Sequence, residues 1–113
     1  MGRHETIEIG SSPYGEKCAQ LGELGYEDRA RAECAVLRAQ LARQAAAAGK
    51  DLSGVRLIIK SNSHDFGCYY ELVARFEEGD GKASDAAYWL EGNLPERWDA
   101  EARAALGLPP EAP

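Results

Sequence analysis

Alternation of polar and apolar residues predicts three short β-strands. The first covers Glu5–Ile9, the second Val55–Lys60 and the third Cys68–Phe76. Seven residues, 61–67, lie between the second strand and the third, and about five of them are expected to form a hairpin loop. We expect Gly67 to take a positive φ in this loop, because glycine has no Cβ to clash there.

Between the first two strands, apolar residues recur every three or four positions. This spacing predicts one long helix from about Tyr26 to Ala48, with an apolar stripe along one side. Gly49 follows directly and is expected to end the helix in the left-handed conformation. The stripe consists of Tyr26, Ala30, Cys34, Leu37, Leu41, Ala45 and Ala48.

The third strand has two chemically different faces. One face carries Tyr70, Leu72, Ala74 and Phe76 and is expected to pack on the long helix. The other face mixes apolar and charged side chains. We therefore expect the C-terminal segment, a second copy of the chain or a partner to cover it.

Two shorter helices are predicted after the third strand. Ala83–Glu91 reads as a helix that Gly92 ends, and Asn93–Glu96 resembles a capping box. Asp99 is expected to cap a last short helix that ends at Gly107.

The order of these elements predicts an α+β fold: a small three-stranded antiparallel sheet packed on one long helix, with two short C-terminal helices. A chain of 113 residues can bury one core without metals or disulfides. We expect a single domain over residues 1–108 and a disordered tail over 109–113.

The net charge of −6 disfavours direct binding to nucleic acid, which requires basic side chains facing phosphates. Between residues 77 and 103, eight acidic residues accompany three basic ones. This acidic flank favours a basic protein surface as partner. In the long helix, Arg31 and Arg38 lie two turns apart, and we expect them to face Glu27 or solvent.

No apolar run approaches the roughly 20 residues that span a bilayer, and the first residues do not form a secretory signal. These patterns predict a cytoplasmic location without membrane attachment. The three cysteines have no CxxC spacing, which argues against disulfides and zinc sites.

The segment Ser61–Glu71, with the sequence SNSHDFGCYYE, holds the densest cluster of reactive side chains. His64 and Asp65 suggest half of a metal site, and His64 with Cys68 suggests a base and its nucleophile. Neither pair completes a known signature. We therefore expect no catalytic residue, no metal and no cofactor, and we interpret the segment as a recognition turn.

This segment and the segment Tyr88–Asp99, YWLEGNLPERWD, together resemble small uncharacterised proteins of bacteriophages, prophages and other mobile elements of high-GC bacteria, which share an SNxHDFGxYYE-like motif. The resemblance covers roughly the C-terminal half of the chain and brings no established activity, so no catalytic residues can be carried over from it. Small acidic proteins of such elements are often accessory or anti-defence proteins, including anti-CRISPR proteins, that bind host machinery.

The leading hypothesis is a non-enzymatic accessory protein of a mobile element that binds a host protein or protein complex and inhibits a defence system such as CRISPR-Cas. One alternative is a homodimeric structural protein; another is a small metal- or thiol-dependent enzyme that uses the turn from His64 to Cys68.

For Trp98, a role in pinning the last helix to the open sheet face is favoured over a role as a partner anchor. The residues assigned to partner binding are His64, Asp65, Tyr69, Glu71, Glu96, Trp98 and Asp99.

Overall fold

A computed structural model describes residues 3–11, 26–64 and 67–110; for residues 11, 26, 27, 62–64 and 67–69 it describes the backbone alone. These ranges form an α+β fold, as predicted. The elements are β1 (His4–Ser11), α1 (Tyr26–Ala47), β2 (Arg56–His64), β3 (Gly67–Glu77), α2 (Gly81–Gly92) and α3 (Ala100–Ala105).

The three strands form an antiparallel sheet in the order β1-β3-β2, so β3 is the central strand. The predicted loop of about five residues is wrong. The β2–β3 ladder continues to the pair His64 and Gly67 and leaves two residues between them, both outside the described ranges. Backbone groups make the ladder, so the polar residues after Lys60 extend it without an apolar pattern.

The face of β3 that was predicted to meet the long helix does so. Leu72, Ala74 and Phe76 are buried in one cluster with residues of α1 and α2, such as Leu41 and Leu90. Tyr70 packs at the other end of this face, against Ala30 and Cys34 of α1. The middle of the apolar stripe of α1 therefore lies in the core, through Ala30, Cys34, Leu41 and Ala45.

An irregularity in β1 adds one residue to the core. The register shifts between Glu8, which pairs with Val73, and Gly10, which pairs with Leu72. Ile9 lies at this β-bulge and is buried with the core residues.

Some of the helix-end signals predicted from the sequence are observed, and others are not. Gly49 takes a φ of +71° after α1, and Asp99 caps α3 through its side chain, both as predicted. The predicted stop at Gly92 is wrong, because Gly92 stays inside α2 and Asn93 caps it. The capping box at Asn93–Glu96 is also wrong, because no helix begins between Gly92 and Ala100.

The C-terminal segment packs beside α1, in the helical layer. Its buried residues are Ala102 and Leu106. Trp98 therefore does not pin the last helix to the open sheet face, and that prediction is wrong. Among the described residues, no helix packs on the face of the sheet opposite α1 and α2.

Candidate functional site: the grooves around Trp98

Long polar side chains of α1 hold the C-terminal segment in place. Three of them donate hydrogen bonds to backbone carbonyls between residues 93 and 106, a stretch that is largely non-helical and so has carbonyls to offer. We call these contacts the polar seam. They run from Arg29 Nη1 to Leu106 O (3.0 Å), from Gln40 Nε2 to Arg97 O (3.0 Å) and from Gln44 Nε2 to Asn93 O (3.1 Å).

Asp99 joins the polar seam to α3. Its Oδ1 accepts a hydrogen bond from the Ala102 backbone N–H at 2.8 Å, and its carboxylate accepts two more short bonds from Arg43, at 2.8 and 2.9 Å. The N–H of Ala102 and the guanidinium of Arg43 hold the pKa of Asp99 below its ordinary value. Arg43 also pairs with Glu101 at 3.1 Å. The Asp99 carboxylate thus orients the start of α3.

Trp98 lies directly before this cap and is half-buried between two grooves. The first groove has a volume of about 300 Å³ and lies between Trp98, Leu37 of α1 and Leu94. The second has a volume of about 350 Å³ and lies between Trp98, α3 and Leu108. Trp98 therefore lines both grooves.

Gly10 of β1 also lines the first groove. A Cβ atom at this position would lie 3.4 Å from Cδ2 of Leu94 and 3.5 Å from Cδ2 of Leu37. The lack of a side chain therefore leaves the groove open between these two leucines. Leu94 itself is 41% exposed, so its apolar surface faces an incoming ligand.

Charged side chains of both signs line the grooves: Glu96 and Arg97 in the first, and Asp99 and Arg103 in the second. Glu91 and Glu96 are exposed. Arg103 donates to the Pro109 carbonyl at 2.6 Å. At the start of α2, away from the grooves, Lys82 pairs with Asp51 at 3.1 Å. The pKa of Asp51 is lowered to about 2, mainly by the Ser53 backbone N–H and then by the Ser53 hydroxyl and Lys82.

The predicted partner-binding residues fall in different parts of the fold. Glu96, Trp98 and Asp99 lie together beside α1, whereas Glu71 lies in β3 on the opposite face of the sheet. His64 and Tyr69 are described by their backbones alone, at the end of the β2–β3 ladder. Asp65 lies outside the described residues.

Glu71 forms a carboxyl pair with Glu8 of β1. Repulsion by Glu71, together with partial desolvation and a hydrogen bond between the two carboxyl groups, raises the pKa of Glu8. Lys60 stands directly opposite Glu71 in the β2–β3 register. The charges at this end of the open face thus have neighbours of both signs.

Within the described residues, no group of three or more histidine, cysteine or acidic side chains is arranged to hold a metal ion. Cys34 is not part of a disulfide and is buried in the core. The Cys68 side chain lies outside the described part, as does that of His64. No helix in the part of the chain that the structure describes has the length and apolar character to cross a membrane.

Sequence reasoning missed Leu37, Leu94 and Gly10 as groove residues. Leu37 was assigned to the core stripe, and its partial exposure depends on where residues 93–99 pack. One local signal was present: Leu94 and Pro95 are apolar residues between two helices and close to Trp98. Apolar side chains in such a connecting segment are typical of a recognition surface.

Comparison with protein families, with curated proteins and with solved structures finds no match for this chain.

Proposed function

We propose that this protein is a non-enzymatic binding module that captures a short basic segment of another protein in the grooves around Trp98. The observation that supports this proposal is that the half-buried Trp98 lines two largely apolar grooves. Tryptophan in a pocket is the residue type most often found at the energetic centre of protein interfaces. The partner segment inserts one apolar side chain into each groove.

The net charge of −6 and the acidic bias of residues 77–103 favour basic side chains in the rest of the ligand. Exposed Glu91 and Glu96 attract lysine and arginine side chains on either side of the apolar anchors. The resemblance to proteins of mobile elements suggests a component of host machinery as the partner. That assignment, including inhibition of a defence system such as CRISPR-Cas, rests on the resemblance alone and stays a prediction.

Selection of displayed random peptides on the immobilised protein tests the proposal without a known partner. We expect the enriched peptides to combine large apolar residues with lysine or arginine. Affinities are then measured by the fluorescence of Trp98 in a Trp89→Phe background, since the chain has two tryptophans. Binding should shift the emission of Trp98 to shorter wavelength and weaken as salt is raised.

Two variants and one control decide whether the grooves are responsible. Calorimetry on Trp98→Ala should show a loss of at least about thirtyfold in affinity, the scale of an interface hot spot. Leu94→Ala should also weaken binding, and we expect a small effect on folding because Leu94 belongs to neither core cluster. Tyr88→Ala removes an aromatic ring that is 54% exposed and lies outside both grooves, so its affinity should equal that of wild type.

Selected peptides that bind Trp98→Ala and Leu94→Ala as tightly as wild type would refute the grooves as the site. An enriched set without basic residues, or an affinity independent of salt, would contradict the proposed chemistry of the partner.

A further inference from the structure

Two arginines stand directly opposite each other on the open face of the sheet. Arg56 of β2 and Arg75 of β3 are register partners, and both are exposed. Directly opposed residues in an antiparallel pair point to the same face with Cβ atoms about 5 Å apart, and like charges there are destabilising. The fold therefore maintains an electrostatic repulsion at this position.

In the part of the chain that the structure describes, no carboxylate forms an ion pair with either arginine. Among the described residues, the pairs that do form involve Arg29, Arg43 and Lys82. On the other side of Arg75, the register partner in β1 is the neutral Thr6. Four residues further along β2, Lys60 stands opposite Glu71, so opposed charges of unlike sign do occur in the same ladder.

The arginine pair lines a groove at the end of the sheet, with a volume of about 550 Å³. His4 and Ser53 lie in the same lining, as does the acidic Glu77. Asp80 lines it too, but its Oδ1 accepts the Ala83 backbone N–H at 3.1 Å as the cap of α2. A groove of this size fits a small organic molecule and exceeds what an inorganic ion fills.

We propose that this groove binds a small phosphate monoester, with Arg56 and Arg75 holding the phosphate group. Two guanidinium groups present planar forks of N–H donors that match phosphate oxygens, and a dianion between them converts their repulsion into attraction. The remaining volume holds the organic part of the ligand. This site lies on the sheet, apart from the Trp98 grooves, and does not depend on the function proposed for them.

Calorimetric titration with adenosine monophosphate, inorganic phosphate and adenosine tests the proposal on the whole chain. We expect adenosine monophosphate to bind best, inorganic phosphate to bind more weakly and adenosine not to bind. If inorganic phosphate bound as tightly as adenosine monophosphate, the proposed monoester would be wrong and the ligand would be the free ion. Absence of binding by both phosphates, or equal binding of adenosine, would overturn the site.

Charge-matched variants separate this site from general electrostatics. Arg56→Gln and Arg75→Gln should each weaken binding of adenosine monophosphate about tenfold, the usual scale for one hydrogen bond to a charged group. Lys60→Gln removes the same charge from the same strand and should leave the affinity nearly unchanged. An equal loss in Lys60→Gln would contradict the site.

Two further measurements distinguish loss of the binding site from loss of folding. Thermal unfolding of Arg56→Gln without ligand should occur at or above the temperature of wild type, because the variant relieves the repulsion with Arg75. Glu77→Gln should tighten binding of the monoester, since it removes the free carboxylate from the groove. A lower unfolding temperature in the first variant, or weaker binding in the second, would count against the proposed arrangement.

Discussion

The two faces of the sheet carry different side chains although they share the same three strands. The face toward α1 and α2 contains Leu72, Ala74 and Phe76, all fully or almost fully buried. The open face has three cross-strand rows, and charges occupy most of their positions. The rows are Thr6–Arg75–Arg56, Glu8–Val73–Ile58 and Ser11–Glu71–Lys60.

This difference separates stability from recognition. Burial of apolar surface on the helical side provides most of the driving force for folding. On the open face Val73 and Glu71 are also buried, whereas Arg56 and Arg75 at one end are exposed. The charges at that end can therefore be arranged for a ligand, as in the arginine groove. The Trp98 grooves lie at a third place, where the polar seam joins α1 to the C-terminal segment.

Adjacent isoleucines in β2 provide the strongest test of this separation. Ile59 packs against both core clusters, whereas Ile58 belongs to the open face. Urea unfolding should show that Ile59→Ala costs about 3 kcal/mol and Ile58→Ala less than about 1 kcal/mol. The pair is well matched, because both residues have the same type, the same strand and intermediate exposure.

Equal losses in the two variants would mean that the open face is covered in solution. A loss at Ile58 that grows with protein concentration would identify the cover as a second copy of the chain, which is the homodimer alternative.

Periodicity predicted the helical side of this comparison well. The alternation in β3 and the spacing in α1 identified the buried faces, because side-chain direction repeats locally in both kinds of element. Strand length was harder to predict, since Ser61 to His64 pair through backbone groups and carry no apolar signal. The end of α2 was mispredicted because a glycine in the last turn of a helix is tolerated when the next residue supplies the cap.

The grooves around Trp98 could be predicted only in part. The cap at Asp99 follows from a local pattern, and it was identified correctly. The place of residues 93–99 depends on contacts such as that from Gln40 to Arg97, whose partners lie 57 positions apart. The residues around Gln40 do not indicate such a partner. The sequence therefore predicted that Trp98 lies on the open face of the sheet, whereas it lies beside α1.

A Tyr70 variant tests the contact between the sheet and Arg31 of α1. Arg31, which we expected to face Glu27 or solvent, donates a hydrogen bond to the Tyr70 hydroxyl at 3.0 Å and lies 5.2 Å from the ring centroid. Tyr70→Phe removes the hydroxyl and keeps the ring, so we expect a loss of about 1 kcal/mol in urea unfolding. Tyr88→Phe, at an exposed position, should change nothing. Equal stability of Tyr70→Phe and wild type would show that the bond is not maintained in solution.

The smallest expected effect is a gain in stability on the open face. Because the pKa of Glu8 is raised in the folded chain, folding takes up protons near its ordinary value of 4.5, and stability falls as the pH rises through this range. At neutral pH the repulsion from Glu71 is fully present. Glu8→Gln removes it and should stabilise the fold by about 0.5 kcal/mol at low salt.

The dependence on pH tests the cause of this gain. Below the pKa, Glu8 of the wild type is already protonated, so the advantage of Glu8→Gln should disappear at about pH 3.5 and also shrink at high salt. Thermal unfolding of both proteins at the two pH values measures the difference. If the stability gain of Glu8→Gln persisted in acid, its cause would be strand propensity or packing. The open face would then lack the electrostatic repulsion that distinguishes it from the helical face.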